Sequence, residues 1–189
     1  MATSAPRSAP ALLAALDAFR FDDVERPAWS FAQRLAHEQG WTARTAERAL
    51  REYKRFLALV CLAGHPVCPS EQVDQVWHQH LTYTRSYWTR LCGEVLGREV
   101  HHAPTRGGPA EDAKHREMYR QTLASYRRIF GEEPPAELWP PEAQRFGADL
   151  HTVRVNAVTH WILDKRTGRA AAWISLALIL AALLGALSA

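Results

Sequence analysis

The sequence predicts an all-α fold: a single helical domain of about five to six helices, followed by a C-terminal transmembrane helix. Three observations carry this reading. Apolar residues recur at three- and four-residue spacing along most of the chain. Residues that start and stop helices stand at the ends of those stretches, with Thr42 and Ser70 as starts and Gly40, Gly64 and Gly131 as stops. There is no βαβ rhythm and no internal repeat. A length of 189 residues suffices for one domain with a real core, and seven tryptophans supply bulky anchors for it.

Residues 1–8, rich in Ala, Ser and Pro, read as a disordered lead-in, and the helical domain spans 9–164. Leu12, Leu13, Leu16 and Phe19 form the first apolar stripe. A short helix follows Pro27, with Trp29, Phe31 and Leu35 inward, and stops at Gly40. Thr42 caps a third helix whose stripe is Ala46, Leu50, Tyr53, Leu57 and Val60. Ser70 caps a fourth and longest helix, running to about Gly97 with a break expected at Gly93. A polar loop spans 98–109. A fifth helix carries Met118, Tyr119, Tyr126, Ile129 and Phe130 and ends at Gly131. Leu138 and Trp139 tuck onto the core from a Pro-rich loop, and 142–164 read as helical.

The far end has a different character. Residues 170–187 contain no charge and only one hydroxyl, Ser175, and Trp173 sits near their start. Eighteen helical residues span roughly 27 Å, close to the thickness of a bilayer core. Lys165, Arg166 and Arg169 make a basic juxtamembrane segment at 165–169. The expectation is a tail-anchored, single-pass membrane protein whose main domain is cytoplasmic and meets a protein partner.

A formal charge of +3 is too small to argue for nucleic acid without a concentrated basic patch. Cys61, Cys68 and Cys92 form an odd set without disulfide-framework spacing, which suits a reducing compartment and buried or metal-bound thiols. The preference for arginine over lysine and the abundance of alanine fit a bacterial, GC-rich genome. No P-loop, dinucleotide-binding or paired-carboxylate motif is present.

The chemistry concentrates between Cys68 and His102. On a helical wheel, Val73, Val76, Trp77, Tyr83, Tyr87, Trp88, Leu91 and Val95 fill one apolar arc, with His80 in its middle. Asp74, His78 and Cys92 line another edge. Histidines at i and i+2 of a regular helix cannot share one metal. His78 and Cys92 are about 21 Å apart along an unbroken helix, too far for one ion. The open alternatives are His78 or His80 with the loop donors His101 and His102, Cys92 with that loop, or His65 and Cys68 joining His78. Zinc is the ion such sets suggest. The plain packing reading makes His80 a core histidine bonded to Tyr83 or Thr84, and Cys92 a small buried hydrophobe.

The run Val73-Asp74-x-x-Trp77-His78-x-His80-Leu81, followed by Thr84-x-x-Tyr87, Cys92, Gly97 and His101-His102-x-Pro104, resembles the GRDP-like family, the shared domain of glycine-rich domain-containing proteins. The segment from Tyr126 to Gly131 and Pro134-Pro135 is similar to that family's later part, so the resemblance covers about 25–140. It implies a helical domain, with His78, His80, Cys92, His101 and His102 as site positions and Asp74, Trp77 and Tyr87 in support. Plant relatives are associated with development, stress and RNA binding through additional segments. The glycine-rich region that names the family is absent here, and functions resting on it do not carry over.

Three functions follow as expectations. The first is a binding or adaptor module whose His/Cys segment either binds a transition metal or forms a polar core network that fixes the recognition surface. The second is a metal-dependent enzyme of hydrolase type, with Asp74 or Glu71 as base. The third is an RNA-associated protein.

Overall fold

The computed structural model describes residues 8–22, 28–103, 105–147, 155, 156, 158 and 159. Its contacts divide the chain into units at 1–149 and 150–189, and among the described residues the helices all belong to the first. Among the described residues there are seven helical segments and no strand: α1 (Ala9–Ala18), α2 (Phe31–Gln39), α3 (Ala43–Leu62), α4 (Glu71–Thr82), a π-helix (Arg85–Leu96), α5 (Pro109–Phe130) and α6 (Glu142–Arg145).

Local chemistry sets most of the boundaries. Ser30 accepts from Gln33 N while the Gln33 side chain accepts from Ser30 N, a reciprocal cap that starts α2. Thr42 and Ser70 cap α3 and α4 by accepting from Thr45 N and Val73 N. Pro109 opens α5, with Glu111 and Asp112 in its first turn and Arg127 and Arg128 in its last, each complementing the helix dipole.

α3 is the central element and packs against α1, α2, α4 and α5. It presents Ala46, Ala49 and Ala58 where backbones approach closely, and Tyr53, Phe56, Leu57 and Leu59 where volume must be filled. It also buries a carboxylate. Glu52 accepts from Tyr126 Oη and from Trp139 Nε1, both at 2.9 Å, and lies 3.4 Å from Arg55 Nη1. Arg55 also bonds Tyr126 and reaches Glu132 at 2.5 Å. This network ties the loop after α5 to α3 and holds Leu138 and Trp139 in the core.

Three expectations need correction here. The long fourth helix breaks at Tyr83, whose ψ of 63° leaves the helical region, and not at Gly93. The chain beyond it forms a π-helix, in which Ser86 and Leu91, and Tyr87 and Cys92, are buried pairs five residues apart. On an α-helix such pairs would diverge by roughly 140°. The wider helix brings both pairs onto the core and leaves Trp88 38% exposed. Gly97, at φ 65°, closes it by directing its own N–H to Cys92 O, and Arg98 N joins the same carbonyl. Trp29, expected inward, is 46% exposed and lies against His37.

The expectation of a membrane anchor, and of a membrane location with it, is also corrected. Among the described residues no helix is long and apolar enough to cross a membrane. The longest, α3 and α5, carry charges along their length. The segments at 165–169 and 170–187 lie outside the described residues, as do 1–7 and most of 146–164 beyond α6.

Candidate metal centre

α4 presents its chemistry on two faces. On the inner face Trp77 is nearly buried, and its Nε1 donates to Tyr87 Oη at 2.8 Å. Tyr87 Oη donates in turn to Val100 O. This chain of bonds runs from α4 through the π-helix to the loop behind it. It fixes Val100 beside α4 and delivers His102, two residues on, to the Asp74 edge of the helix. The His102 ring then lies 4.5 Å from Trp77 and 4.5 Å from His78, centroid to centroid.

Asp74, His78 and His102 form the resulting cluster. His102 Nε2 is 2.9 Å from Asp74 Oδ1, and His78 Nε2 is 3.7 Å from Asp74 Oδ2. One donor atom from each residue lies within 4.8 Å of the others, so the group can hold a metal. Tetrahedral donors about 2.1 Å from zinc stand roughly 3.4 Å from one another. Small side-chain rotations therefore suffice. His102 and Asp74 are largely buried while His78 is half exposed.

The other sequence candidates stand apart, each for a physical reason. His80 is fully buried among Phe19, Phe21, Phe31, Tyr53 and Tyr87. Ser86 Oγ donates to Phe21 O, so it accepts from His80 Nε2 at 3.2 Å, which leaves Nδ1 to accept from Tyr53 Oη at 3.2 Å. Burial lowers its pKa to about 3, with Arg90 contributing. It is a neutral core histidine, bonded to Tyr53 and Ser86 and not to Tyr83 or Thr84. Cys92 is buried at the Tyr87 end of the core, where burial raises its thiol pKa. His101 is largely exposed, 3.1 Å from Glu99, and lines the cleft beside the cluster without joining it. His65 bonds Ser125 Oγ at 2.7 Å and Pro66 O at 2.8 Å, and Cys68, whose pKa burial raises to about 11, lies outside the cluster. Glu71 is engaged by Gln75 and Arg145.

A cleft of about 450 Å³ opens beside the cluster. Asp74, Trp77 and His102 line one side. Asp112 and His115 of α5 and Arg145 and Phe146 at the end of α6 also line it. His115 Nε2 lies 3.3 Å from Glu111 Oε2, one turn earlier on α5. The Glu111–His115 spacing of four on a helix was a readable signal for this pair. Arg145 had none, because only the tertiary fold brings it here.

A model of the UCP032817-like family matches residues 13–129, well over half of the chain. The chain belongs to the UCP032817-like family. No curated protein and no solved structure matches it. The GRDP-like resemblance is therefore corrected. Trp77, His80, Tyr87 and Cys92, which carried much of it, are buried packing residues here, and a pattern of core residues at helical spacing identifies helical packing more than a family. The matched segment of the UCP032817-like family contains all three residues of the Asp74 cluster, while Arg145 lies beyond it.

Proposed function

We propose that Asp74, His78 and His102 hold a divalent transition ion, zinc or iron(II), and that the domain acts as a metal-dependent enzyme of hydrolase type on a small ligand. One observation carries the reading: two imidazoles and one carboxylate, from α4 and a loop 24 residues beyond His78, converge, and two of them, Asp74 and His102, line a cleft. Two histidines and a carboxylate leave coordination positions open, as catalytic zinc sites and non-haem iron sites do. A closed structural site would present four protein donors. An ion here would lower the pKa of a bound water toward 7 and supply a nucleophile. His115, paired with Glu111 and lining the same cleft, is the side chain best placed to exchange protons with it.

The adaptor reading draws on a different place. A groove of about 650 Å³ between α2 and α3 is lined by Ala32, Ala36 and Ala43 and bordered by the exposed Trp29. An exposed tryptophan beside small residues is a common anchor point for a partner.

The experiment is metal content by mass spectrometry on the full chain, alongside Asp74→Ala, His102→Ala and His101→Ala. The proposal expects close to one ion per chain in the parent and in His101→Ala, and loss in the other two. No ion in the parent, after zinc and anaerobic iron loading, overturns it.

A further inference from the structure

Arg145 is held in the cleft wall on two sides. Its Nη1 lies 3.2 Å from Glu71 Oε2, and its guanidinium carbon lies 5.2 Å from the centroid of the Phe146 ring. Its Nε–H is buried and has no acceptor among the described residues. Gln72 Oε1 and Gln79 Oε1 share that condition, but neither glutamine lines this cleft. An unmet buried donor is costly, and such a group in a native site calls for an explanation. A guanidinium offers five donors in a rigid fork that matches carboxylate and phosphate oxygens, and Glu71 uses only part of it.

The charges of the cleft point the same way. With neutral histidines its lining carries two carboxylates, Asp74 and Asp112, against the one guanidinium. A divalent ion on the Asp74 cluster offsets both carboxylates and leaves the Arg145 guanidinium, shared with Glu71, to attract an anion. The Cys68 thiol also lines the cleft; burial raises its pKa to about 11, the Arg145 charge lowers it and the Asp74 charge raises it. The volume suits a small ligand.

We infer that the cleft takes a small oxyanion, a carboxylate or phosphate group, with one oxygen on the ion held by Asp74, His78 and His102 and the remaining oxygens toward Arg145 and His115. This rests on the proposed metal site and names the ligand class that site recognises. Charge attraction draws the anion in only after the ion is bound, and the guanidinium fork orients it.

The test is calorimetric titration of the zinc-loaded full chain with inorganic phosphate and, separately, with acetate. The parent is compared with its zinc-free form, with Arg145→Gln and with Arg145→Lys. Zinc content is measured in every sample before any anion is added, which separates failure of the metal reading from failure of this one. The expected result is binding of one or both anions at least tenfold tighter with zinc than without. Arg145→Gln then weakens it at least tenfold at unchanged zinc content, and Arg145→Lys, which keeps the charge and loses the fork, falls between. The tighter of the two anions identifies the group. Equal affinity in the parent and Arg145→Gln with zinc present in both, or binding of neither anion, overturns the inference.

Discussion

His102 Nε2 lies 2.9 Å from Asp74 Oδ1, although 28 residues separate them in sequence. The contact is made possible by Tyr87, which accepts from Trp77 on α4 and donates to Val100 on the loop. Removing that hydroxyl strands two buried groups at once. Tyr87→Phe is therefore expected to lower stability by about 1–3 kcal/mol and to weaken metal binding as the loop carrying His102 loosens. Urea unfolding and a zinc titration on the same variant check both parts. Unchanged zinc affinity would show that the loop holds His102 without this bond.

His80 makes stability depend on pH in a defined window. Its folded pKa, about 3, lies below the ordinary value near 6.5, so the unfolded chain takes up the proton first. Its contribution is complete above about pH 6.5 and is lost as pH falls toward 3, on the order of 4 kcal/mol in all. His80→Phe removes the titrating group from an aromatic shell that can accept another ring. The difference in urea midpoint between parent and variant should shift against the parent as pH drops from 7 to 4. A difference that does not move with pH would mean that another group sets the acid limit.

Glu52 is a buried charge whose partners come from three places: Arg55 on α3, Tyr126 on α5 and Trp139 on the loop beyond. Glu52→Ala leaves those donors unmatched and is expected to cost about 3–5 kcal/mol. Glu52→Gln, which keeps an acceptor oxygen, should cost less. Thermal melts of both variants decide this, and equal losses would show that packing matters here more than the acceptor.

Gly97 closes the π-helix with a positive φ that side chains rarely adopt. Gly97→Ala should lower stability by about 1–2 kcal/mol, read as a lower urea midpoint at unchanged slope.

Where local chemistry decides the structure, the sequence was readable. Thr42 and Ser70 cap helices because a side-chain oxygen three residues ahead of a free N–H satisfies it, whatever the rest of the fold does. Leu138 and Trp139 had to find the core because of their size, and they did. The wheel that placed His80 inward and Asp74 with His78 on another edge works for α4 because α4 is a regular α-helix. It misplaces Trp88 because the next helix has a different pitch, and nothing in the residues from Arg85 to Leu96 announces that pitch locally. His102 was among the loop donors considered with His78, yet choosing it over His101 required the Tyr87 bond to Val100, a long-range contact. Arg145 and His115 reach the cleft only because α5 and α6 fold back over it.

The most direct test is X-ray absorption at the zinc edge of the loaded full chain. Asp74, His78 and His102 predict imidazole and oxygen neighbours at about 2.0–2.2 Å with no sulfur, and loss of one imidazole in His102→Ala. A sulfur neighbour near 2.3 Å would place the ion on a cysteine instead and contradict the site. So would a spectrum unchanged by His102→Ala.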